Sequence, residues 1–173
     1  MRSSKLLPLL QGSDRRSIGR ANQIASLVLR EPKKFAELIR LLWSAEPTVR
    51  MRAADAVEKI TLQKPELLKH YKAELLGLLD EADQQELRWH LAAMISRLPL
   101  TKAETQRAAA SLRRYLEDRS SIVKTFALQA LFDLTHIDPS LRESTRTLLE
   151  DTVRTGTPAM KARSRKLLAK LPR

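Results

Sequence analysis

Four basic residues occupy the same place in a recurring line of sequence. Val49-Arg50-Met51-Arg52-Ala53-Ala54 returns, with drift, as Leu87-Arg88-Trp89-His90-Leu91-Ala92, Val123-Lys124-Thr125-Phe126-Ala127-Leu128 and Met160-Lys161-Ala162-Arg163-Ser164-Arg165. Arg50, Arg88, Lys124 and Lys161 are therefore spaced by 38, 36 and 37 positions. Carried at equivalent places on successive elements, such a row makes a track of positive charge. It would suit the phosphate oxygens of a nucleic acid, with an affinity that falls as salt rises. The same position can instead cap carbonyl groups and bridge neighbouring repeats, and the residues alone leave both readings open. Arg15, Arg16 and Arg20 cluster near the N-terminus, and Arg163, Lys166 and Lys170 fall at i, i+3 and i+7 of one helical stripe, which extends the basic set.

A second set of residues suits contact rather than charge. With Leu87 taken as the inward direction, Trp89 lies about 200° round a helix and points outward. Its equivalents are Met51, Thr125 and Ala162, and Phe132 is expected to point roughly the same way one repeat on. Arg52 and His90 share one helical angle and would flank the resulting groove, while Asp55 follows Met51 by one turn. An indole is costly to leave in water, so a partner surface is the expectation for Trp89, Met51, Asp55, Phe132, Arg52 and His90. Catalytic constellations are missing from the pattern. His70, His90 and His136 lack metal-ligand spacing, the four glycines never cluster into a phosphate loop, and Gly-x-Ser-x-Gly is absent. Asp80, Glu81 and Asp83 read as a turn whose acids favour the following helix N-terminus. With aromatics at 4%, a base-stacking platform for single strands is poorly supplied.

The composition sets the frame for these sites. The 173 residues are 43% hydrophobic and 30% charged, enough to bury a core without metal or disulfide. Cysteine is absent, which removes thiolate metal sites and cysteine nucleophiles. The opening apolar stretch at 6–10 is too short and too Pro-broken for a signal sequence, and no run approaches the ~20 apolar residues of a membrane span. A soluble, cytoplasmic, monomeric protein with no cofactor and no membrane partner is the expectation. The net charge of +12 is concentrated at the ends: +5 within 1–30, +6 within 158–173 and +1 between them. Such ends suit the polar caps of a repeat array, and they would also attract a polyanion.

A period of 36–38 residues marks a helical solenoid, expected as one domain over 1–173. The spacing predicts helices near 14–30, 33–43, 47–62, 65–79, 83–98, 102–116, 119–135, 139–154 and 158–171, with one further turn within 5–11. Linkers this short force antiparallel hairpins: four of them from residue 33 onward, preceded by a half repeat. Residues 1–30 form the N-terminal cap and 158–171 the C-terminal capping helix. Each second helix carries one apolar stripe at spacings of 4, 3 and 4. Val49, Ala53, Ala56 and Ile60 match Leu87, Leu91, Met94 and Leu98; then Val123, Ala127, Ala130 and Leu134; then Met160, Ser164, Leu167 and Leu171. A single hairpin cannot bury such a stripe, so the hairpins must stack.

The segment Glu46-Pro47-Thr48-Val49-Arg50-Met51-Arg52-Ala53-Ala54-Asp55-Ala56-Val57 resembles the second-helix signature of HEAT repeats, an acidic-Pro turn followed by Val-Arg and an Ala-rich face. The resemblance covers about residues 33–171. It implies an all-α superhelix whose second helices line a concave side. It also implies an inter-repeat ladder through an Asp six residues before the signature Arg. That offset falls on Ser44, Ala82, Asp118 and Thr155, so only Asp118 fits and the ladder is expected to be patchy. Within this class the basic charge and Trp89 are similar to bacterial glycosylases that excise alkylated bases. Those enzymes carry a carboxylate one turn after the aromatic. Here that place is Ala93, with Asp55 the nearest substitute. The resulting expectation is a non-enzymatic scaffold that takes a protein partner on its concave face. The alternative is a nucleic-acid backbone binder related to those glycosylases.

Overall fold

The computed structural model describes residues 5–12 and 17–172. Among them there are ten α-helices, several led in by short 3-10 turns, and no strand, so the chain is all-α as the sequence requires. They group into two compact units, Met1–His70 and Tyr71–Arg173.

The first unit contains α1 (Leu7–Leu10), α2 (Ala21–Arg30), α3 (Phe35–Arg40) and α4 (Pro47–Gln63). α1, α2 and α3 all pack on α4. α2 begins seven residues later than the periodicity predicts. Gly19, at φ +54°, lies in left-handed backbone just ahead of it and breaks the helical run. Arg15 and Arg16 lie outside the described residues.

The second unit contains α5 (Lys72–Glu81), α6 (Gln85–Ile95), α7 (Lys102–Tyr115), α8 (Ser121–Leu134), α9 (Arg142–Thr155) and α10 (Pro158–Leu168). They pair as hairpins α5/α6, α7/α8 and α9/α10, and the second helices stack in the order α6, α8, α10. Pro32, Pro65 and Pro139 each open a 3-10 turn before the first helix of a hairpin, where a residue without N–H does least harm. α7 starts on a complete capping box: Thr101 Oγ1 accepts from Glu104 N–H at 3.3 Å, and Glu104 Oε2 accepts from Thr101 N–H at 2.7 Å. Lys72 Nζ reaches the same Oε2 at 2.8 Å, tying α5 to α7. With the Lys72 and Thr101 bonds, the Glu104 carboxyl is drawn down to about 2.

The apolar stripe lies where its spacing puts it. Ala53, Leu91 and Ala127 are fully buried, as are their neighbours along the same seam, and only Met160 among the matched positions is half-buried. Ser164 holds the corresponding place in α10, and its hydroxyl is buried without a hydrogen-bond partner among the described residues. Desolvating a hydroxyl without compensation opposes folding. Ser164→Ala should therefore stabilise the protein by about 1 kcal/mol, raising Tm by about 3 °C in a thermal melt. A lowered Tm would show that the hydroxyl is satisfied.

Candidate functional site

The outward faces of α6 and α8 are the best-developed surface of the second unit. Trp89 is half-exposed there and leans on the buried His90, with ring centroids 5.6 Å apart and planes tilted by 56°. On α8, Ile122, at 48% exposure, and the half-buried Phe126 fall at i and i+4 of one stripe. Gln129 and Asp133 continue it, joined by an Nε2–Oδ1 bond of 2.8 Å, and Arg163 of α10 donates to Gln129 Oε1 at 2.7 Å. Burial pushes the Asp133 carboxyl up, against the Gln129 bond and the nearby charges of His136, Arg163 and Arg97. Lys166 stands exposed on α10, and Lys170 stands exposed just beyond its end.

Other residues expected on this face are buried. Phe132 belongs to the core with Leu128, Leu149, Leu167 and Leu171, and meets His136 edge-on at 5.1 Å. It sits near the end of α8, where α9 and α10 close over the helix. In the first unit Met51, Arg52 and Asp55 are all buried, because the N-terminal segment folds across α4. Arg52, 4% exposed, clasps that segment by its backbone. Nε donates to Ser17 O at 2.9 Å, and Nη1 donates to Leu10 O at 3.0 Å and Gln11 O at 2.7 Å. Gly12 and Gly19 make room for it: a Cβ on either would come within 2.8 or 2.9 Å of the guanidinium group. Asp55 accepts from Lys59 at 2.6 Å, and the same ammonium reaches Asn22 Oδ1 of α2 at 2.6 Å. Arg52 and Asp55 thus hold the fold together rather than line a groove.

The basic row divides between two uses. Arg50 Nη1 donates to the carbonyls of Ser44 at 2.8 Å and Ala45 at 3.3 Å. Arg88 repeats the device, with Nε to Ala82 O at 2.7 Å, and adds a bond from Nη1 to Asp118 Oδ2 at 2.6 Å. Asp118 Oδ1 accepts from Ser120 N–H at 2.8 Å. This is the ladder rung that the Asp offset predicts. Arg88 also lies over the ring of Tyr115, 5.3 Å from its centroid. Lys124 and Lys161 are half-buried, while Arg20 and Arg163 are exposed.

One structural cluster escaped the sequence reading. Asp80 does not serve the next helix N-terminus; it turns to α7. There it accepts from Arg107 Nε at 2.9 Å and Nη2 at 2.6 Å, from Arg114 Nη2 at 3.1 Å, and from the Ser111 hydroxyl. Partial burial works to raise the Asp80 carboxyl, but these bonds outweigh it and hold it below the ordinary carboxylate range. Tyr115 OH donates to Leu79 O at 2.8 Å beside it. The signal available was the i, i+4, i+7 spacing of Arg107, Ser111 and Arg114, which puts all three on one face of α7.

Stacked α-hairpins with a capping Arg and an inter-repeat Asp rung define the class of helical repeat proteins. The chain belongs to the HEAT-repeat family, whose HEAT repeat domain pattern matches residues 11–171. No curated protein shows significant similarity to the chain. Among the described residues no cluster of three His, Asp or Glu could hold a metal ion, and no helix is long and apolar enough to cross a membrane.

Proposed function

We propose that the protein is a non-enzymatic scaffold that takes a protein partner on the outward face of its second helices, centred on Trp89, Ile122 and Phe126. The observation that carries this reading is the exposure of Ile122 and the half-exposure of Trp89, while nearly all other large apolar residues of α6 and α8 are buried. Apolar side chains grouped on one face and flanked by polar ones favour a protein contact. The phosphate-track alternative loses its first two members. Arg50 and Arg88 are turned to carbonyls and to Asp118, and Asp55, the carboxylate a glycosylase reading would need, is bound to Lys59.

Trp89→Ala should abolish retention of a specific partner on the immobilised protein while shifting unfolding stability by only about 1 kcal/mol. Titration of duplex DNA at several salt concentrations separates the alternatives. Duplex binding that persists near physiological salt and ignores Trp89→Ala would overturn the protein-partner reading.

A further inference from the structure

We propose that the cleft between the α7–α8 turn and the α9–α10 turn is a binding site for a carboxylate group, with Lys124 as its principal anchor. The argument starts from the ladder. At one step of the second unit, Arg88 is matched by Asp118 at 2.6 Å. One repeat on, the equivalent positions hold Lys124 and Thr155. The Thr155 hydroxyl donates back to Asp151 O at 3.0 Å, within α9, and supplies no charge. The Lys124 backbone N–H donates to Ser120 O at 3.1 Å, but its ammonium makes no hydrogen bond or ion pair with any other described residue. It acts on Asp118 only through space, since that carboxylate is already taken by Arg88 and Ser120.

At this step the structure opens a cleft of about 330 Å³. Lys124 and Arg119 supply its positive charge, Thr155 and Thr157 line the opposite turn, and Leu116 and Met160 contribute apolar surface. Two acids also border it, Glu117 and Asp151. The second is matched by Arg154 at 2.6 Å, which leaves Glu117 to set against Lys124 and Arg119. The volume is at the small end of ligand pockets, sized for an acidic side chain or a small organic acid. A bound carboxylate would stand to Lys124 as Asp118 stands to Arg88, supplying the rung from outside the chain.

This site goes beyond the protein-partner reading and does not depend on it, because Trp89 lies outside the cleft. The test is a titration of the full chain, followed by backbone amide shifts at constant ionic strength. The probes are N-acetylglutamate, a blocked hexaglutamate peptide and inorganic phosphate. N-acetylglutamate should give saturable shifts confined to residues 116–124 and 151–160. Lys124→Ala should weaken binding by about tenfold or more, as loss of a charged hydrogen bond does. Lys124→Arg should retain it, and controls for folding. Thr155→Asp should both block the probe and raise Tm, since it places the carboxylate inside the chain. A hexaglutamate affinity well above the monomer's would assign the group to a polypeptide; equal affinities would assign it to a small acid. Shifts that are absent, that survive Lys124→Ala and Thr155→Asp, or that arise with phosphate alone would overturn the proposal.

Discussion

Arg52→Ala should lower the free energy of unfolding by about 3 kcal/mol, the largest loss expected from any polar substitution in the chain. The buried guanidinium donates to three main-chain carbonyls belonging to Leu10, Gln11 and Ser17, residues 35–42 positions away in sequence. Each such bond, charged on the donor side, contributes about 1.5–3 kcal/mol when the acceptor stays buried. The total is held below their sum because the released segment can turn its carbonyls to water. Arg52→Lys should recover only part of the loss, since an ammonium cannot present two edges to three acceptors. Urea denaturation gives the magnitude, and amide exchange gives the place: protection should fall in residues 17–21 before α8 is affected. A variant as stable as the parent would mean that the clasp contributes nothing.

Asp118→Ala should cost about 2 kcal/mol at neutral pH, because it strips the acceptor from Arg88 and from Ser120 N–H together. Burial works to raise the Asp118 carboxyl, but the Ser120 and Arg88 bonds outweigh it and bring it below its ordinary 3.8. A carboxylate depressed in the native state stabilises the fold above its unfolded value, and that contribution drains away as the pH falls through the lowered native value. The difference between parent and variant should therefore be full above about pH 5 and shrink steadily below pH 4. A difference independent of pH would assign the loss to packing instead of charge.

The seam was legible because burial in stacked hairpins has a period. Val49, Leu91 and Ala127 could be placed by counting, and the resemblance to HEAT repeats supplied the single Asp118 rung. What counting could not supply was the identity of what lies opposite a helix. Met51 and Arg52 have outward angles, yet the N-terminal segment covers them; Phe132 does too, yet α9 and α10 close over it. Trp89, at the angle of Met51, stays half-exposed because nothing described covers it fully. Arg52 was the hardest to read. The carbonyls of Leu10, Gln11 and Ser17 that it binds are backbone acceptors, which no side-chain pattern announces, and Gly12 and Gly19 are the trace they leave in the sequence. The lead-in turns at Pro32, Pro65 and Pro139 shortened the first helices for a local reason, since 3-10 geometry suits the entry of the chain into a hairpin.

At Leu10, Gln11 and Ser17 the clasp around Arg52 takes hold of main chain, which makes it indifferent to spelling at those three positions. Gln11 and Ser17 can be exchanged freely as far as this grip is concerned, while Gly12, Gly19 and Arg52 tolerate no replacement without loosening it. Relatives that share this N-terminal lock should betray it by two glycines seven apart and an arginine 33 positions after the second.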